Sequence, residues 1–163
     1  MSQQRWRLDG QLALVTGGSA GIGRAIAREL LGFGARVLIA ARDGNGLDAV
    51  RIELEEEFPD GEVRTCVADV ADDEQRRELL DWVEDIGDGL NILVNNAGGN
   101  LTKAAIDYSE DEWRGIFEVN LFSAFELARS TYPLLTKHAA SCIVNVGSVS
   151  AITHVRSGAP YGM

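Results

Sequence analysis

Residues 12–23 read LALVTGGSAGIG, a short apolar run that leads into a glycine-rich turn. Residues 12–16 have the length and apolar character of a buried strand, and residues 22–33 show helical spacing that ends at Gly34. Glycines let a backbone turn tightly and approach a ligand closely, and a helix N-terminus offers unpaired N–H groups to an anion. Strand, turn and helix in this order predict a pyrophosphate site; a purely structural tight turn is the alternative.

The same alternation of short apolar runs and longer amphipathic segments continues along the chain. Further strands are predicted at 37–41, 63–67, 90–94 and 142–146, and the last long helix at about 111–132. Asp72 with Gln75, and Ser109 with Glu112, are capping-box signatures of helix starts. Strands that alternate with helices pair in parallel through right-handed crossovers. The sequence therefore predicts one α/β domain over residues 1–163, a Rossmann-type doubly wound parallel sheet.

Composition and charge narrow the class of protein. The chain has 45% hydrophobic and 25% charged residues, which is ordinary for a globular domain, and its net charge of −10 disfavours nucleic acid as a partner. Because no apolar run approaches the roughly 20 residues that cross a bilayer, and no secretory signal pattern is present, we expect a cytoplasmic protein without membrane contact. Cys66 and Cys142 lie in strand-like runs and are expected to be buried free thiols, and no metal site is expected.

Polar and glycine-rich residues follow the predicted strands, at the sheet edge where such folds bind ligands. Arg42 follows the second strand, and the preceding Ala41 is not acidic. A guanidinium binds a ribose 2′-phosphate through charge-assisted hydrogen bonds, so the pair predicts NADP in preference to NAD. The alternative is a surface arginine paired with Asp43. Asp69, followed by Val70 after the third strand, either accepts from an adenine amino group or caps the next turn.

These motifs together resemble the short-chain dehydrogenase/reductase family, and within it the tropinone reductase-like members. The resemblance covers the whole chain. It is carried by the runs 16–23 and 95–98, by Asn120, and by Ser148 and Tyr161, which stand thirteen residues apart as the family's catalytic serine and tyrosine do. The run Val149-Ser150-Ala151 and the arginine after the second strand carry the finer resemblance. Ala20 stands where the tropinone reductases often have a basic residue, so Arg42 would hold a 2′-phosphate with less help.

The resemblance implies an NADP-dependent oxidoreductase that interconverts a carbonyl and a secondary alcohol by hydride transfer. Tyr161 would act as acid–base, Ser148 would hydrogen-bond the substrate oxygen, and Asn120 would hold a water of the proton relay through its backbone or side chain. The residues expected to bind the cofactor are Gly17, Ser19, Gly21, Ile22, Gly23, Arg42, Asp69, Val70, Asn96, Ala97 and Gly98. The family also implies a homodimer or homotetramer that uses the long helix.

One catalytic position of the family falls outside the 163 residues. The family's tyrosine is followed four residues later by a lysine that lowers its pKa, and that position would be 165. We therefore expect a chain without the C-terminal part of the domain, with five strands of an expected seven, and little turnover by the chain alone.

Three functions remain open from the sequence. The first is the NADP-dependent oxidoreductase, the second a non-catalytic nucleotide-binding or interaction module, and the third another doubly wound protein such as a nucleotide-binding transferase. Ser148 and Tyr161 taken singly are ordinary turn and surface residues, and only their joint spacing favours catalysis. Tyr108 and His154 resemble catalytic bases but are interpreted as a packing residue and a loop residue.

Overall fold

The computed structural model describes residues 6–87, 89–153 and 158–163. The strands are β1 (Leu12–Thr16), β2 (Arg36–Ala41), β3 (Val63–Val67), β4 (Ile92–Asn95) and β5 (Cys142–Asn145). The helices are α1 (Gly21–Gly32), α2 (Gly44–Glu57), α3 (Asp73–Ile86), α4 (Glu110–Phe117) and α5 (Ser123–Leu135). A π-helical turn, Glu118–Phe122, joins α4 to α5, and short 3-10 turns lie at Ala105–Asp107, Val149–Ala151 and Ala159–Gly162.

The five strands form one parallel sheet in the order β3-β2-β1-β4-β5. This confirms the predicted doubly wound α/β fold. Chain order reverses between β1 and β4, so the loops that follow these two strands run to opposite sides and open a crevice. The register pairs Thr16 with Ala40, Ala41 with Val67 and Asn95 with Asn145, which brings the carboxyl ends of the strands to one edge.

Two apolar layers cover the sheet because successive strand residues point to opposite faces. The layer under α1 and α2 contains Ala13, Val15, Val37, Ile39, Ala27, Leu31, Leu47 and Leu54. The layer under α3 and α5 contains Leu12, Leu14, Leu38, Leu93, Leu79, Val83, Leu127 and Leu134. No helix within the described ranges has the length and apolar character needed to span a bilayer.

The two outermost strands, β3 and β5, are more exposed to solvent than their apolar sequences suggest. β5 is exposed along its whole length, and β3 is buried only at Val63. The expectation of two buried thiols is therefore wrong: both cysteines are free, but Cys142 is exposed and Cys66 is half-buried, since each lies on an outermost strand. Burial still raises the pKa of the Cys66 thiol.

The long helix predicted near 111–132 is interrupted. Ser109 and Glu112 form the predicted reciprocal capping box at the start of α4. The π-helical turn then follows, closed by a bond from the Ser123 amide to the Glu118 carbonyl. At the start of α3 only half of the second predicted box forms, because the Gln75 side chain accepts from the Asp69 amide.

Candidate functional site

The glycine-rich turn passes so close to the loop after β4 that side chains are excluded at two positions. A Cβ atom on Gly17, whose φ is +66°, would lie 2.9 Å from the Ala97 Cα atom, and one on Gly23 would lie 2.4 Å from Asn96 Nδ2. At Gly21, with φ +54°, the space in front of the missing Cβ is open. The turn is therefore packed against β4 on one side and leaves the start of α1 accessible on the other.

Thr16 and Asn96 fasten the two loops at the point where chain order reverses. Thr16 Oγ1 donates to the Val94 carbonyl at 3.3 Å and accepts from the amides of Asn96 at 3.1 Å and Ala97 at 3.0 Å. In return, Asn96 Nδ2 donates to the carbonyls of Thr16 at 2.9 Å and Gly17 at 3.2 Å. Sequence reasoning did not give Thr16 a site role; the available signal was a hydroxyl residue at the end of an otherwise apolar first strand.

A cavity of about 350 Å³ opens beyond the carboxyl ends of β1, β2 and β3. Seven of the predicted cofactor-binding residues line it: Gly17, Ser19, Arg42, Asp69, Val70, Ala97 and Gly98. The side chain of Arg42 is 72% exposed, and its Nη1 lies 3.8 Å from Asp69 Oδ2. Arg42 thus pairs with Asp69 across two strands, and the alternative pairing with Asp43 is not the one found.

Asp69 has a local structural role in addition to this ion pair. Its Oδ1 accepts from the Ala71 amide at 2.9 Å, so the carboxylate caps the turn after β3. Its own amide donates to Gln75 Oε1 at 2.9 Å, which ties the turn to the first turn of α3. The turn-capping alternative for Asp69 is therefore present, and its carboxylate still borders the first cavity.

A second cavity, of about 700 Å³, lies beyond β4 and β5 and shares Ala97 and Gly98 with the first. Its lining brings together the three predicted catalytic residues, Ser148, Tyr161 and Asn120, with Ile22 and Asn96 of the predicted cofactor site. Ser148 Oγ accepts from the Ser150 amide at 3.1 Å. Because this contact uses the oxygen as an acceptor, the hydroxyl hydrogen is left to donate elsewhere.

Asn120 lies in the π-helical turn, and its side-chain amide is fully engaged. Nδ2 donates to the carbonyls of Gly99 at 2.7 Å and Ile116 at 2.8 Å, while Oδ1 accepts from the Gly99 amide at 3.1 Å. The side chain therefore fixes the chain just after β4. π-helical turns often occur at functional sites.

The segment between β4 and α4 is closed by contacts of its own. The Tyr108 hydroxyl donates to the Leu101 carbonyl and accepts from the Lys103 amide at 3.3 Å. Lys103 forms an ion pair with Glu112, and this hydrogen bond lowers the pKa of the Glu112 carboxyl. The Tyr108 hydroxyl is thus engaged within this segment, while His154 lies outside the described residues. Within the described ranges, no group of three or more His, Cys, Asp or Glu side chains is placed to hold a metal ion.

Known sequences similar to this chain include short-chain dehydrogenases and tropinone reductase homologues. The sequence profile of the short chain dehydrogenase family matches residues 11–163. A tropinone reductase homologue of Arabidopsis thaliana is 41% identical over 160 residues, which are 97% of this chain and 59% of the relative. Senescence-associated protein 13 of the same plant is 40% identical over 160 residues, which are 97% of this chain and 58% of the relative.

Solved structures share the architecture. L-Sorbose reductase from Gluconobacter frateurii, solved with NADPH and L-sorbose, has a TM-score of 0.92 at 28% identity, with 96% of this chain and 59% of that chain covered. RhlG of Pseudomonas aeruginosa, solved as an NADP active-site complex, has a TM-score of 0.89 at 34% identity over 96% and 62% of the two chains. This chain therefore spans less than two thirds of the length of each of these relatives. Because the family profile covers nearly all of it and the sheet has the doubly wound strand order, the chain belongs to the short-chain dehydrogenase family, beside the tropinone reductase homologues.

Proposed function

We propose that the chain forms the cofactor-binding part, and much of the catalytic part, of an NADP-dependent oxidoreductase that interconverts a carbonyl and a secondary alcohol. One observation carries the proposal. Two cavities that share Ala97 and Gly98 have Arg42 in the lining of the first and Ser148 with Tyr161 in the lining of the second. A dinucleotide needs such an extended site, with phosphate recognition separated from the reacting carbonyl.

The residues present fit NADP(H). The open face at Gly21 and the start of α1 supply N–H groups to the pyrophosphate, and Gly17 and Gly23 permit the close turn. Arg42 is largely exposed and forms a 3.8 Å ion pair with Asp69, so its side chain can turn to a 2′-phosphate at small cost. Asp69 and Val70 border the adenosine end, and Ile22 borders the nicotinamide end. Bound NADPH supplies the hydride.

The chain's own residues handle the proton and the substrate oxygen. Ser148 donates its hydroxyl hydrogen to that oxygen, because the Ser150 amide already occupies an acceptor position on Oγ. Tyr161 gives its phenolic proton to the oxygen on reduction and takes it back on oxidation. Asn120 holds the loop at Gly99, beside the second cavity, with its side chain.

The experiment is an assay of carbonyl-dependent NADPH oxidation over a panel of ketones, with NADPH binding measured in parallel. We expect Tyr161→Phe to bind NADPH as the wild type does and to lose about 10²-fold or more of any turnover, which is the usual contribution of a general acid. Turnover that survives this substitution would contradict the role of Tyr161. Failure of the wild type to bind NADPH would contradict the proposed oxidoreductase as a whole.

A further inference from the structure

The first cavity is lined by charges of both signs, and only the positive charge favours binding of a 2′-phosphate. Three ionisable side chains border it: Arg42, Asp43 and Asp69. Arg42 is the only cation among the lining residues, so two carboxylates face one guanidinium. An isolated arginine at the end of β2 would predict a clear preference for NADP. With two carboxylates beside it, attraction of the 2′-phosphate by Arg42 is opposed by repulsion from the carboxylates.

The two carboxylates differ in how far they are already compensated. Asp69 accepts from the Ala71 amide at 2.9 Å through Oδ1 and lies 3.8 Å from Arg42 through Oδ2. Asp43 occupies the N-cap position of α2, yet its side chain makes no capping hydrogen bond. Within the described ranges no hydrogen bond or ion pair of the Asp43 carboxylate is found. Its charge is therefore the less compensated of the two.

The Asp43 carboxylate also lies on the side of the glycine-rich turn. A Cβ atom built on Gly46 would lie 2.6 Å from Asp43 Oδ2 and 3.3 Å from Ser19 Cβ, so both side chains border Gly46. Ser19 belongs to the same turn as Gly21 and lines the same cavity as Arg42. The Asp43 carboxylate thus lies near Ser19 of the glycine-rich turn and lines the same cavity as the Arg42 side chain.

We infer that Asp43 is a specificity-determining residue that weakens binding of a 2′-phosphate relative to a 2′-hydroxyl. The inference rests on the proposed function. A carboxylate repels the phosphate dianion, and its free oxygen atoms can accept from a ribose hydroxyl, so both effects act in the same direction. Discrimination between NADP(H) and NAD(H) is then the difference between attraction by Arg42 and repulsion by Asp43, and it is smaller than Arg42 alone would give.

The test is a titration of the wild type, Asp43→Asn and Asp60→Asn with NADPH and with NADH, followed by nucleotide fluorescence. Asparagine keeps the size and the N-cap preference of aspartate but removes the charge. We expect Asp43→Asn to tighten NADPH about three- to tenfold, to leave NADH unchanged or weaker, and to lose most of this gain at high ionic strength. Asp60, in the turn after α2 and away from the cavity, provides the matched charge removal, for which we expect an unchanged ratio of affinities.

Each other outcome counts against the inference in a distinct way. The proposed role of Asp43 is overturned if Asp43→Asn has the same ratio of NADPH to NADH affinity as the wild type or Asp60→Asn. It is also overturned if the gain in NADPH affinity does not respond to salt. Neither result affects the proposed function. If neither nucleotide binds the wild-type chain, the proposed function fails, and this inference fails with it.

Discussion

The hydroxyl group of Thr16 holds together the two loops from which the site is built. The residue is 1% exposed, and its Oγ1 is the acceptor for two buried or half-buried amides, those of Asn96 and Ala97. An amide that loses its only partner in such a place costs about 1–3 kcal/mol. Thr16 therefore matters for stability as well as for the shape of the cavity.

Thr16→Val keeps the shape of the side chain but removes the acceptor, and we expect the free energy of unfolding to fall by about 2–4 kcal/mol. Thr16→Ser keeps the hydroxyl, so its free energy of unfolding should fall clearly less than that of Thr16→Val. Urea denaturation of the three proteins measures the difference. A valine variant as stable as the serine variant would show that the hydroxyl does not hold these loops.

Local signals in single residues predicted local structure, and the roles of the site residues stay a prediction. The capping pair Ser109 and Glu112 formed as expected because both partners lie within one helical turn. Ser148 and Tyr161 were expected together, and both line the second cavity. The partner of Arg42 was not predictable, since Asp69 is brought to it by the pairing of β2 with β3 and not by proximity in sequence.

Among the secondary-structure elements, a network of ion pairs joins the starts of the neighbouring strands β2 and β3. Glu62 accepts from Arg36 at 2.6 Å and 3.0 Å, and Arg64 Nε lies 2.9 Å from Glu62 Oε1. The hydrogen bond from Arg36 is the main reason why the pKa of the Glu62 carboxyl is lowered. A carboxyl whose pKa is lowered on folding stabilises the folded state above its ordinary pKa, and this contribution is lost as pH falls through the folded-state value.

We therefore expect Glu62→Gln to lower the free energy of unfolding by about 0.5–1 kcal/mol at neutral pH, the size typical of a partly exposed pair. The difference from the wild type should shrink as pH falls below the ordinary pKa of glutamate, and it should disappear once pH is below the lowered folded-state pKa. Unfolding curves at neutral and acidic pH measure it, with Glu56→Gln on α2 as the control. A deficit that persists unchanged in acid would contradict the electrostatic origin.

The interruption between α4 and α5 shows why element boundaries were harder to predict than element types. The periodicity of residues 111–132 is helical throughout, and nothing local marks the π-helical turn. The turn brings the Asn120 side chain to both Ile116 and Gly99, and the second contact joins two segments that are distant in sequence. Tertiary contacts of this kind decide geometry that periodicity alone leaves open.

For the molecule as a whole, the outward surface of α5 and of the π-helical turn before it carries several large apolar side chains. Phe122, Phe125 and Tyr132 are exposed, and Tyr132 is 64% exposed. Contiguous exposed apolar surface of this kind is typical of a protein contact. We propose that α5 joins two copies of this chain, in line with the dimer or tetramer that the family resemblance implies.

Sedimentation equilibrium tests this pairing. We expect a dimer or tetramer for the wild type and a monomer for Tyr132→Glu, because a charge at the centre of an apolar contact costs several kcal/mol without a partner. Ile52→Glu, at a 50% exposed position on α2, should leave the mass unchanged. A wild type that sediments as a monomer would contradict the proposed contact.

The proposed function requires the joined cavities at the carboxyl edge of the sheet to bind NADP(H), with Arg42 on the 2′-phosphate. Titration of the wild type and of Arg42→Ala with NADPH, followed by nucleotide fluorescence, tests it most directly. We predict saturable binding to the wild type and a loss of about 10- to 100-fold in affinity for Arg42→Ala, which corresponds to one charge-assisted hydrogen-bonded contact. No saturable binding by the wild type, or equal affinity in both proteins, would contradict it.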